Sequence, residues 1–174
     1  MIINQVSEVD ILPAFCHARV LILGVGNLLF GDDGFGPAVV EDLLQNYAIP
    51  EDIYVMDVGT GVRKLLFTLL LGDVMPDEIV IVDAVDWGNT IGQVKEITAD
   101  ELPVTKIDDF SLHQVPTSNM LRELQNQGQV EVSVMVCDVG ILPQRIEPGL
   151  SAEVRGAVKT AAEKIATRFS LEPL

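Results

Sequence analysis

Residues 20–40 read VLILGVGNLLFGDDGFGPAVV, and this stretch narrows the choice of fold more than any other. Val20-Leu21-Ile22-Leu23 are apolar without a break, the pattern of a strand buried on both faces in a parallel sheet. Gly24-Val25-Gly26-Asn27 then turns the chain out of the sheet. Pro37 opens a helix, because Val40, Leu43, Leu44 and Tyr47 recur at i, i+3, i+4 and i+7. Between strand and helix lie Asp32 and Asp33, flanked by Gly31, Gly34 and Gly36. Open α/β sheets place their sites in loops at this position.

Downstream the same alternation continues. Ile53-Tyr54-Val55-Met56 reads as a second strand, followed by Asp57-Val58-Gly59-Thr60-Gly61. Residues 65–71 are so apolar that they predict a largely buried helix. Ile79-Val80-Ile81-Val82 forms a third strand ending at Asp83-Ala84, and residues 93–97 a weaker edge strand. Ser111-Leu112-His113-Gln114 matches a capping box, placing His113 in the first turn of a helix that runs to about Gln127. A helix beginning at Pro116 instead puts His113 just before it. Residues 130–136 alternate as a strand, and Ser151 caps a last helix with Val154, Val158, Ala161, Ile165 and Phe169 on one face. Strands alternating with helices predict one three-layer α/β/α domain over residues 1–174, built on a mostly parallel central sheet of about five strands. Residues 1–19 form an N-terminal extension that packs on an edge.

A chain of 174 residues buries enough surface to need neither disulfides nor a structural metal. No run reaches the ~18–20 apolar residues of a membrane span. The N-terminus lacks a basic n-region and carries Glu8 and Asp10, so a cytoplasmic location is expected. Cys16 and Cys137 are expected to be reduced, with Cys137 a small core residue. Eleven basic against 26 acidic residues give a formal charge of −15, which opposes nucleic acid and anionic membranes.

In a doubly wound fold the carboxyl ends of parallel strands share one rim. Asp33 follows the first strand, Asp57 the second and Asp83 the third, with His113 on a connection beyond. Two carboxylates and an imidazole can hold a divalent ion such as Ni²⁺ or Zn²⁺ with open positions, and they also suit acid–base work. Each residue has a plainer reading too. Asp32 before a helix is most simply a cap or dipole partner, whereas one cap does not need two carboxylates. Asp57 before Gly59-Thr60-Gly61 is either a turn-former or a site residue. His113 can be an ordinary helix-start histidine. A nucleotide site is disfavoured, because Leu29 stands where G-x-G-x-x-G needs its third glycine and two carboxylates would repel phosphate.

Taken in order, Leu23-Gly24-Val25-Gly26-Asn27, Asp32-Asp33-Gly34-x-Gly36, Asp57-x-Gly59-Thr60, Val82-Asp83-Ala84, Ser111-Leu112-His113-Gln114 and Pro143…Gly149-Leu150-Ser151 closely resemble the hydrogenase maturation proteases. These endopeptidases trim the large subunit of [NiFe] hydrogenases. The Gly-Asp-Asp-Gly-Phe-Gly-Pro wording is similar to the branch serving the deazaflavin-reducing hydrogenases of methanogens, called the delta subunit. The resemblance spans about residues 19–170. It implies that Asp33, Asp83 and His113 are the metal-ligand positions and catalytic group, with Asp57 a further catalytic candidate. Asp57 lies in the family's Asp-Gly-Gly-Thr-like motif, where Val58 here replaces a glycine. It further implies that nickel arrives with a large-subunit precursor, that a C-terminal extension is removed from it, and that no nucleotide is used. No Ser or Cys nucleophile with an adjacent base is evident, which disfavours an acyl-enzyme route. A non-catalytic, metal-sensing protein that docks on a maturing hydrogenase is the alternative.

Overall fold

The computed structural model describes residues 14–98, 101, 117–128 and 130–174. Its strands are β1 (Val20–Val25), β2 (Tyr47–Ala48), β3 (Ile53–Gly59), β4 (Glu78–Val85), β5 (Val94–Thr98), β6 (Glu131–Asp138) and β7 (Glu172–Pro173). Its helices are α1 (Phe35–Asn46), α2 (Val62–Leu71), α3 (Thr117–Gly128) and α4 (Ala152–Phe169). Five strands form the main sheet in the order β3-β1-β4-β6-β5. β3, β1, β4 and β6 run parallel, and β5 is the antiparallel edge. The expected mixed, mostly parallel sheet between helical layers is therefore present.

Both faces of the sheet are buried, which is why its central strands read as unbroken apolar runs. Val20, Ile22, Val80 and Val82 face a core shared with α1 and α4, which includes Phe35, Val39, Leu43, Val158 and Ile165. Leu21, Leu23, Ile79 and Ile81 face a second core shared with α2 and α3, which includes Leu66, Leu69, Leu121 and Leu124. Ser151 caps α4, its Oγ accepting from the Val154 amide at 3.3 Å, as the sequence indicates. The helix closes at Ser170, in the left-handed region at φ 53°, and the Leu171 amide donates back to the Ala166 carbonyl at 2.9 Å.

Two expectations change. Helix α2 is not largely buried throughout. Val62, Leu65, Leu66 and Leu69 face the sheet, but Phe67 is 56% and Leu71 72% exposed. A ten-residue helix in an outer layer has one buried stripe, and its surplus apolar residues must face outward. The N-terminal segment does not lie on a sheet edge where it is described. Residues 14–17 form a 3₁₀ turn, and Cys16 and Ala18 bury in the α2/α3 core. Among the described residues no helix is long and apolar enough to cross a membrane.

Candidate active site at the carboxyl rim of the sheet

The connection from β1 to α1 builds the rim. Gly26 leaves β1 with φ 135°, and its amide donates to the Gly59 carbonyl of β3 at 3.1 Å. Residues Gly31–Gly34 then form a 3₁₀ turn carrying both Asp32 and Asp33, and the Asp33 carbonyl accepts from the Asn27 amide at 3.2 Å. Glycines make this fold-back possible. A Cβ on Gly26 would stand 1.9 Å from the Asp33 carbonyl oxygen. One on Gly36 would stand 2.3 Å from the carbonyl oxygens of both Val25 and Val82. The start of α1 is thus pressed into the ends of β1 and β4. Asp33 is three residues before Gly36, and Asp83 directly follows Val82, so both residues flank this junction in the chain.

Within β4, Asp83 alternates with Ile79 and Ile81, which places it on the α2/α3 face. It is half-buried, and its Oδ1 accepts from the Ala84 amide at 2.8 Å. Asp57 alternates with Ile53 and Val55, on the α1/α4 face, and is exposed. Its Oδ1 accepts from the Gly59 amide at 2.8 Å, where Gly59 has φ 50°. Asp57 therefore forms the turn, and the pleat directs it away from the face of Asp83. Asp32 also has a structural bond, its Oδ1 accepting from the Ser151 amide at 2.6 Å.

His113 lies outside the described residues, as does the capping box around it. The chain is described again from Thr117, in α3 (Thr117–Gly128), and both expected helix starts lie outside the described residues. Helix α3 ends at Gly128, close before β6 begins at the end of the sheet opposite the rim. Its buried Met120, Leu121 and Leu124 hold it along the face that carries Asp83, so α3 begins on the rim side. Among the described residues no cluster of three His, Cys, Asp or Glu side chains stands ready for a metal.

One rim carboxylate escaped the reading of the sequence. Strand β6 continues to Asp138, which is only 3% exposed. Its carboxylate accepts from the amides of Trp87 at 3.3 Å and Asn89 at 3.1 Å, and from the Asn89 side chain at 2.8 Å. These bonds clamp the loop that leaves β4 just after Asp83. The available signal was an aspartate ending an apolar run, the same pattern as Val82-Asp83. Beside it, burial pushes the Cys137 thiol up to about 12, and the charges of Asp32 and Asp138 add to the rise. A thiol held protonated in this way is no nucleophile.

Comparison with known proteins places the chain in a family. The family model for hydrogenase maturation proteases matches residues 37–168. A Methanocaldococcus jannaschii chain provisionally named a hydrogenase maturation protease is 43% identical over 148 residues, covering 84% of this chain and 93% of that one. The delta subunit of the coenzyme F420 hydrogenase of Methanothermobacter thermautotrophicus is 30% identical over 156 residues, covering 85% and 92%. The hydrogenase-maturating endopeptidase of Escherichia coli superposes with a TM-score of 0.68 at 27% identity, covering 90% of this chain and 96% of that structure. The chain therefore belongs to the hydrogenase maturation protease family, a family of endopeptidases.

Proposed function

We propose that this endopeptidase removes a C-terminal extension from the large-subunit precursor of a [NiFe] hydrogenase, and that Asp33, Asp83 and His113 grip the nickel carried by that precursor. The observation that supports this reading is the packing of Gly36 between the carbonyls of Val25 and Val82, with the turn that carries Asp33 in contact with β4, the strand that carries Asp83. Two carboxylates at one rim are incomplete as a resident metal site and competent to share an ion that arrives with its own ligands. Nickel is here cargo of the substrate.

Hydrolysis needs the scissile carbonyl polarised and a water deprotonated as it attacks. The water oxygen bonds to the carbonyl carbon, the C–N bond breaks, and the departing amine takes up a proton. A rim carboxylate can accept the water's proton and return it to the amine. Asp57, turned to the other face and bonded to Gly59, fits the shaping of the rim better than contact with the ion.

The test is to incubate the purified protein with nickel-loaded precursor and record the intact mass of the precursor. A mass lowered by the extension, seen with nickel and absent after chelation, is the expected result. Co-migration without a mass change would make the protein a metal-sensing binder instead.

A further inference from the structure

Five large apolar side chains stand exposed on the loops that leave the sheet at the rim. Leu28 and Leu29, 52% and 47% exposed, follow β1; Ile91, 44% exposed, follows β4; Ile141 and Ile146, 95% and 68% exposed, follow β6. Single exposed leucines are ordinary. These five, however, are joined. The Leu29 carbonyl accepts from the Glu147 amide at 2.9 Å, and the Gly31 amide donates to the Glu147 carbonyl at 2.9 Å, which sets Ile146 beside Leu29. Ile91 lies over Gly140, where a Cβ would be 3.2 Å from its Cδ1, next to Ile141. Pro143, two residues after Ile141, packs on Gly31, two residues after Leu29, and so links the two groups. Leu28 in turn lies over Gly34, the residue after Asp33. The apolar surface is therefore continuous with the turn that carries the candidate ligand.

Charge narrows what can cover it. Arg145 and Glu147 within the patch pair with each other at 3.4 Å, so among the described residues the only net charge beside the five apolar side chains is that of the rim carboxylates, on a chain of formal charge −15. A second copy would bring two such acidic chains, and two sets of rim carboxylates, face to face. A protein that presents a divalent cation at the rim is instead complementary to it. Contiguous exposed apolar surface of this kind marks protein docking sites.

We propose that Leu28, Leu29, Ile91, Ile141 and Ile146 form a docking collar for an apolar, charge-poor surface of the folded, metal-loaded precursor. This rests on the reading that the chain trims that precursor. The collar holds the body of the substrate while the rim meets the ion and the scissile bond. It contributes equally to ground-state and transition-state binding, so its loss raises KM and spares kcat.

The test compares the double variant Ile141→Asp/Ile146→Asp with Leu71→Asp, an apolar position of exposure between those of Ile141 and Ile146 at the far end of α2. Trimming of nickel-loaded precursor is followed at varied precursor concentration, and binding of fluorescently labelled precursor is measured in parallel. The double variant is expected to raise KM and the dissociation constant about tenfold or more, with kcat within about twofold; Leu71→Asp leaves all three unchanged. Unaltered KM and binding in the double variant, or equal shifts in the control, overturn the collar. So does a wild-type dimer that the double variant converts to monomer, which would make the patch a self-interface. If wild-type protein binds the precursor without trimming it, the protease reading fails while the binding comparison still decides the collar.

Discussion

Asp32 Oδ1 accepts a 2.6 Å hydrogen bond from the amide of Ser151, a residue 119 positions away that itself caps α4. Two adjacent carboxylates in one 3₁₀ turn are thereby divided in duty. Asp32 ties the turn to the entry of the last helix, and Asp33 stays with the junction of β1 and β4. Replacing Asp32 with alanine removes a charge-assisted bond to a partly buried amide, at an expected cost of about 1–3 kcal/mol. Urea denaturation checks this; an unchanged midpoint would show that the bond contributes nothing.

Gly36→Ala is expected to be far more damaging than an ordinary Gly→Ala change. Its Cβ would meet two backbone carbonyl oxygens at 2.3 Å, and neither strand end can withdraw without opening the sheet. A loss of about 3 kcal/mol or more is expected, with trimming lost as the Asp33 turn lifts from β4. Gly156→Ala, in a helix where nothing lies within 4 Å of the added Cβ, should be neutral or stabilising in the same unfolding assay.

Asp138→Ala leaves the Trp87 amide and both Asn89 donors without their acceptor. Trp87 is the chain's one tryptophan, so its emission reports on this loop alone. The variant should show red-shifted Trp87 emission and a stability loss of about 1–3 kcal/mol, with Asp138→Asn intermediate. Identical spectra for all three proteins would contradict the clamp.

Far from the rim, Arg168 joins Glu78, Glu96 and Glu131, the last at 3.2 Å. Burial pushes the Glu78 carboxyl above its ordinary 4.5; Arg168 opposes the rise, while Glu131 and Glu96 add to it. A folded-state value above the unfolded one means that the contribution is present at acid pH and lost as pH rises through the folded value. Wild-type protein should therefore lose stability relative to Glu78→Gln as pH rises from about 4 to about 7. Urea midpoints of the two proteins across that range give the answer, and a wild-type midpoint that gains on that of Glu78→Gln with rising pH would contradict the assignment.

What the sequence discloses follows from where its physics is local. The run Val20–Leu23, the apolar pairs of β4 and the serine before α4 each carry their signal within a few residues. So does the edge strand, with Lys95 and Glu96 facing solvent. The 3₁₀ turn of Gly31–Gly34 does not, because glycines have no local preference and its two glycines pack on residues distant in sequence, Gly31 on Pro143 and Gly34 on Leu150. The face of Asp57 was equally hidden. It depends on the pleat of β3, whose pairing with β1 shifts register between Gly24 and Val25. The pair β2–β7, two residues on each side, is too short to show any period. Asp138 was legible in principle, as a second aspartate closing an apolar strand.

The central claim is that Asp83 meets an ion delivered by the substrate. Its most direct measurement is the intact mass of nickel-loaded precursor after incubation with Asp83→Asn protein, whose circular dichroism and unfolding midpoint are compared with wild type. Precursor left at full mass by a normally folded variant, and shortened by wild-type protein, is the predicted result. Shortening at the wild-type rate by that variant would contradict it.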